Sequence, residues 1–192
     1  MIDVEFLMQK TTTTKRWALT LAGLVLAGAG SVAMAQSGPA GTNGGIGVKY
    51  GQGDNYSRTS LSYETPRFWT YDLGGNWGRL DLVGEGSVSY WKADGSRQPS
   101  HVWQLSAMPF LRWWISERFF IEGGVGVTAF SHTRFADETI STAFQFGDQI
   151  GVGFQMTQNS RLGLRYAHFS NASIKRPNPG LDVVELGYTY TF

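Results

Sequence analysis

From residue 44 onward the chain alternates. Apolar side chains take every second position, and glycine, amide, hydroxyl or charged side chains take the positions between them. Successive side chains leave a β-strand on opposite faces, so a period of two belongs to strands, whereas an amphipathic helix repeats near 3.6. A chain with this pattern must build sheet with one apolar and one polar face. After residue 35 no apolar run approaches the roughly 20 residues that a membrane-crossing helix needs.

Eight such segments stand at about 44–51, 56–65, 78–91, 101–115, 119–130, 142–156, 160–170 and 182–192. The first sets Ile46, Val48 and Tyr50 against Gly45, Gly47 and Lys49. The sixth sets Phe144, Phe146, Ile150 and Val152 against Gln145, Gly147, Gln149 and Gly151. The last sets Val184, Leu186, Tyr188, Tyr190 and Phe192 against Glu185, Gly187, Thr189 and Thr191. Strands of about ten residues with this weak dyad pattern are the mark of transmembrane barrels.

Two foldings fit the pattern: a soluble barrel with its apolar face inside, or a membrane barrel with that face toward lipid. Glycine, amides and isolated charges share the second face, as the filled interior of a small barrel requires. Aromatic residues gather near strand ends (Trp113, Trp114, Phe119, Phe120, Tyr188, Tyr190, Phe192), where interfacial girdles form. The last strand ends on Phe192, which resembles the C-terminal signature of bacterial outer-membrane proteins. Charged residues are 16% of the chain, against roughly a quarter in soluble domains, too few to cover the outside of a soluble eight-stranded barrel. The expected fold is all-β, an eight-stranded antiparallel transmembrane β-barrel spanning residues 36–192.

The connections agree. Residues 116–118 and 157–159 are short turns, while 92–100, 131–141 and 171–181 are longer, the usual contrast between periplasmic turns and outer loops. The link 66–77 departs from this: it belongs with the short turns but is long, and Pro66 and Gly74-Gly75 mark it as non-strand.

The first 35 residues read as a secretory signal peptide. Lys15 and Arg16 precede an apolar run from Trp17 to Val32, followed by Ala33-Met34-Ala35; Met8 is an alternative start. Removal of residues 1–35 leaves thirteen basic and thirteen acidic side chains, a neutral chain with no electrostatic case for nucleic acid. There is no cysteine, which excludes a thiol nucleophile and a thiolate metal site. His101 and His132 stand apart from any carboxylate cluster, and no metal motif occurs. No cofactor is expected.

The apolar face of the seventh segment ends unusually. Leu162, Leu164 and Tyr166 are followed at the same parity by His168 and Ser170, placing both on the lipid side about 6.5–7 Å apart along the strand. Asp182 continues the lipid-facing parity of the last segment, whereas Glu185 points inward. If Ser160 faces Phe192, Ser170 lies opposite Asp182 and His168 lies diagonal to it. Serine, imidazole and carboxylate in reach of one another can form an acyl-transfer triad. A polar rim that merely closes the strand in the headgroup zone fits the same spacing.

The whole segment resembles the lipid A 3-O-deacylases (PagL family). It reads His168-Phe-Ser170-Asn171-Ala172, then Pro177-Asn178-Pro179-Gly180, then Asp182, similar to that family's H-x-S-N-A stretch, P-N-x-G turn and acidic residue. Phe144 to Asp148 and Phe120 to Val127 also look like family segments. The resemblance implies Ser170 as nucleophile, His168 as general base and Asp182 as the orienting acid. It also implies an outer-membrane location and lipid A, within lipopolysaccharide, as substrate. Two departures stand out: aspartate in place of the family's more familiar glutamate, and Ser173 where glycine is common.

Asn171 and Asn178 offer side-chain N–H groups for an oxyanion, though Asn178 also suits the Pro-Asn-Pro-Gly turn and Asn171 a local structural bond. Asp148 should face lipid roughly opposite His168, with a supporting hydrogen bond to the loop or to Asn171, or as a carboxylate exposed among headgroups. Lys175 and Arg176 could attract lipid A phosphates or form a solvated basic loop. A homodimer is left open. The rival readings are a non-catalytic small barrel and a different lipid acyl hydrolase or acyltransferase.

Overall fold

The computed structural model describes residues 43–192. The segment 1–35, expected to be a signal peptide, and most of the loose start that follows lie outside the described residues. Eleven strands form in chain order: β1 (Gly45–Gln52), β2 (Tyr56–Glu64), β3 (Trp69–Asp72), β4 (Arg79–Ala93), β5 (His101–Trp114), β6 (Phe119–Phe130), β7 (Arg134–Phe135), β8 (Glu138–Thr139), β9 (Phe144–Thr157), β10 (Ser160–Ser170) and β11 (Leu181–Thr191). All pairings are antiparallel, and β2 meets both β1 and β4, so eight strands close on themselves in the order β2-β1-β11-β10-β9-β6-β5-β4. Closure removes the unpaired edges that a sheet in lipid could not satisfy.

The faces follow the alternation. Ile46, Val48, Tyr50, Leu164, Val184 and Leu186 are exposed on the outer wall, while Lys49, Arg58, Glu64, Glu85, Arg112, Glu122, Arg161, Arg165 and Glu185 are buried inside. Seven of these charges are joined in one chain, and Arg58 and Glu185 form a separate pair. Arg112 binds Glu64 (2.7 Å) and Glu122 (2.8 Å); Arg165 binds Glu122 (2.6 Å) and Glu85 (2.8 Å). Lys49 pairs with Glu85, Arg161 with Glu64, and Arg58 with Glu185. Burying charge is costly unless each partner is met, and here nearly every long side chain in the lumen meets an opposite one. Glycines make the room: a Cβ on Gly153 would enter the ring of Phe120.

Aromatic plugs close the polar layer at both ends. At the end carrying the long connections, Trp91, Phe130, Phe135, Phe169 and Tyr56 pack with ring centroids 5.5–6.2 Å apart. At the other end Trp114 and Phe120 meet at 4.7 Å, beneath the guanidinium of Arg112. These two therefore point into the barrel rather than joining an interfacial girdle. Their even parity is that of the inward face on β5 and β6, and cation–π contacts, from Arg112 and Arg161 to Phe120 and from Arg79 to Trp114, hold them there.

The long link 66–77 is also more ordered than its proline and glycines suggest. β3 pairs with the start of β4 (Trp69 with Leu82, Asp72 with Arg79), carrying on the edge that β2 leaves at Glu64. Thr65 Oγ1 accepts the Gly84 N–H at 3.0 Å where the two strands break. The connection 131–143 holds the β7–β8 hairpin and buries Phe135 and Ile140 in the plug. Its backbone becomes the platform on which the 171–180 loop rests.

Candidate active site

β10 carries its outer face past the last apolar residue, so His168 and Ser170 stand half-buried where the wall meets the loops. The ladder pairs His168 with Asp182 on β11 and with Asp148 on β9, and Ser170 with Phe146. This corrects the register expected from sequence: Ser160 pairs with Tyr190, not Phe192. The cause lies in the turn, where Asn159 N–H groups and carbonyl are taken up by Thr191 (Nδ2 to Thr191 O, 2.7 Å; Thr191 N to Asn159 O, 2.9 Å). A slip of two leaves every side chain on its own face. It brings His168, rather than Ser170, directly opposite Asp182.

His168 Nδ1 lies 2.7 Å from Asp182 Oδ1. The shorter acidic arm therefore reaches, because the two Cα atoms face each other across the ladder. Two tyrosines that the sequence reading did not single out as site residues also meet Asp182. Tyr166 Oη donates to Oδ1 at 2.6 Å, and the Asp182 backbone N–H donates to Tyr56 Oη at 2.9 Å. Glu185 is turned inside to Arg58, as its parity requires.

The loop after β10 is organised around Asn171. Its side chain is fully buried; Nδ2 donates to Ile140 O (3.1 Å) and Lys175 O (2.9 Å). These bonds use up both amide hydrogens, so Asn171 builds the loop and does not offer its side chain to an oxyanion. Asn178 differs. Its Oδ1 accepts the Asn171 N–H at 3.0 Å, which orients the amide, and its Nδ2 donates to no group among the described residues. Ser141 Oγ donates to Pro177 O at 2.6 Å, tying the same loop to the 131–143 platform.

Ala172 and Ser173 both adopt left-handed backbone, with φ of 51° and 65°. Ser173 thus takes the conformation that a glycine would take freely. The two residues' N–H groups make no backbone hydrogen bond among the described residues and follow Ser170 directly. Gly180, with φ of 76°, lies against the imidazole of His168. Ser170 Oγ makes no hydrogen bond to His168; the two side chains share one face, two residues apart.

Asp148 is exposed and makes no hydrogen bond to the loop or to Asn171, whose amide hydrogens are already engaged. It faces His168 from the β9 side. Lys175 and Arg176 are exposed at the tip of the loop.

Residues 55–191 match the family model described as lipid A 3-O-deacylase (PagL). The chain belongs to this family. It is 61% identical over 160 residues to the lipid A deacylase PagL of Bordetella bronchiseptica, covering 83% of this chain and 89% of that protein. It is 32% identical over 167 residues to the lipid A deacylase PagL of Pseudomonas aeruginosa, covering 85% of this chain and 93% of that one. Among solved structures, the crystal structure of the outer membrane enzyme PagL superposes with a TM-score of 0.69 at 26% identity, covering 77% of this chain and 99% of that chain. The barrel of this family member sits in the outer membrane, which accounts for the unbroken apolar wall below the site.

Proposed function

We propose that the chain hydrolyses the ester-linked acyl chain at the 3 position of lipid A, with Ser170 as nucleophile, His168 as general base and Asp182 as the orienting acid. The observation that carries this is the His168–Asp182 contact of 2.7 Å on the outer wall, with Ser170 two residues further on the same face. Soluble esterases enclose such a set in a pocket. Here it looks outward, toward where the acyl chains of an outer-leaflet lipid lie, with the longer loops and the sugar at headgroup level.

The chemistry follows from the placement. Asp182 accepts the Nδ1 hydrogen of His168, leaving Nε2 to take the proton of Ser170 as Oγ attacks the ester carbonyl. The negative charge that develops on the carbonyl oxygen needs donors already in place. Asn178 Nδ2 and the N–H groups of Ala172 and Ser173 are the unengaged donors nearest in sequence and fold, and we assign them this role. Asn171 supports it by orienting Asn178. Collapse of the tetrahedral intermediate breaks the ester C–O bond, and His168 returns its proton to the departing 3-hydroxyl. Water, deprotonated by the same imidazole, then releases the fatty acid from Ser170.

Asp148 contributes from the other side. A carboxylate opposite His168 on β9 favours the protonated imidazole that forms in the transition state. Lys175 and Arg176 give the loop tip positive charge where the phosphates of lipid A would approach.

Ser170→Ala tests the assignment. Mass spectra of lipid A from cells carrying this variant should retain the 3-linked chain, while the wild-type chain removes it. Release of that chain by a folded Ser170→Ala barrel would overturn the reading, and appearance of the acyl group on a second lipid would make the protein a transferase.

A further inference from the structure

Asp182 is the least enclosed member of the proposed triad. Its side chain is 52% exposed, against 31% for His168. A short carboxylate this exposed is free to turn toward solvent, so its oxygen stays against Nδ1 only if something else holds it. Tyr56, buried in the aromatic plug and contributed by a strand far away in sequence, fixes the backbone at 182. The side chain itself is held by Tyr166.

Tyr166 and His168 are two residues apart on the outer face of β10, opposite Val184 and Asp182. The phenol reaches diagonally across the ladder and donates at 2.6 Å to Oδ1, the same oxygen that faces His168 Nδ1 at 2.7 Å. One carboxylate oxygen thus has two donors converging on it from one strand. Rotation of Asp182 away from the imidazole would break both bonds. Below this point the wall is apolar, and lipid chains offer no donor to replace the phenol.

We propose that Tyr166 is a positioning residue for deacylation: its hydroxyl locks Asp182 against His168. This rests on the triad reading given above. The competing role is that of an ordinary wall residue, since the ring is exposed toward lipid and could touch an acyl chain. The two roles differ in what the hydroxyl does. A lock acts on kcat through Asp182; a wall contact acts on KM through the ring.

The test is a double-mutant cycle with Tyr166→Phe and Asp182→Ala, measuring kcat and KM on purified lipid A in detergent micelles. Folding of each variant is checked by the mobility of unheated samples on gels. Tyr166→Phe should lower kcat about tenfold, the worth of one hydrogen bond to a charged group, leave KM unchanged, and cause no further loss when added to Asp182→Ala. Tyr166→Leu, which keeps an apolar wall without the hydroxyl, should lower kcat as much. Unchanged kcat in Tyr166→Phe, a raised KM at constant kcat, or multiplying losses in the double variant would each overturn the proposal. An Asp182→Ala enzyme with full kcat would bring down the triad reading as well, whereas a silent Tyr166→Phe beside a crippled Asp182→Ala overturns the lock alone.

Discussion

The imidazole of His168 lies so close to Gly180 that a Cβ at position 180 would stand 2.6 Å from Cε1 and 3.3 Å from Nε2. The loop turns at this point with φ of 76°, which a glycine adopts freely and an L-residue does not. Gly180→Ala is therefore expected to act twice. The left-handed backbone costs about 1 kcal/mol, and the methyl group pushes the ring off the line between Asp182 and Ser170. Deacylation should fall by more than tenfold, since small misplacements of a reacting group cost about a hundredfold. Thermal unfolding of the barrel should change little. Kinetics on lipid A beside a melting curve will separate the two effects.

Ser173 is the opposite case. It holds φ of 65° with a side chain attached, so Ser173→Gly relieves strain at a position next to the proposed oxyanion donors. The variant is expected to keep its kcat or raise it, and to stabilise the loop by roughly 1 kcal/mol. Limited proteolysis at the 171–180 loop should slow. A large loss of activity would mean that the serine side chain, not its backbone, serves the reaction.

Much of this arrangement can be read from the alternation alone, and the limits of that reading have physical causes. Parity put His168, Ser170 and Asp182 outside and Glu185 inside, because a face is a local property of a strand with period two. Register depends on the turn, and Asn159 bonding to Thr191 moved the pairing by two residues. Tyr166 read as one more wall residue, since nothing in its spacing shows a phenol reaching diagonally to the next strand. Tyr56 was hidden for a different reason: it meets Asp182 only because β2 and β11 are both neighbours of β1 in the closed barrel. Asn171 suggested an oxyanion donor by its place beside Ser170. Its true partners, Ile140 O and Lys175 O, lie on loops whose paths no periodicity describes.

The interior network sets up a prediction about stability without activity. Glu122 accepts from Arg112 Nε at 2.9 Å and from Arg165 Nε at 2.6 Å, deep in the lumen. Glu122→Gln removes the charge that both guanidinium groups share. Breaking a buried ion pair from one side costs about 3–5 kcal/mol, so the midpoint of urea unfolding in detergent should fall clearly. No member of the network reaches the outer wall, so kcat of the folded fraction should stay near that of the wild type. A parallel loss of kcat would show that the lumen transmits strain to β10.

The two asparagines should separate cleanly. Asn178 keeps an unengaged Nδ2 while its Oδ1 holds the N–H of the residue after Ser170, whereas Asn171 spends both amide hydrogens on backbone carbonyls. Asn178→Ala is expected to lower kcat by roughly a hundred- to a thousandfold, the range found for loss of one oxyanion donor, with little effect on unfolding. Asn171→Ala leaves two carbonyls without a donor in a buried site and should cost about 1–3 kcal/mol of stability. Its activity should fall too, because the loop that orients Asn178 loosens, but lowering the temperature should restore part of it by restoring the loop. Asn178→Ala should show no such recovery, since the missing donor is chemical rather than conformational. Rates at two temperatures on the same lipid A preparation, paired with unfolding curves, decide between the roles.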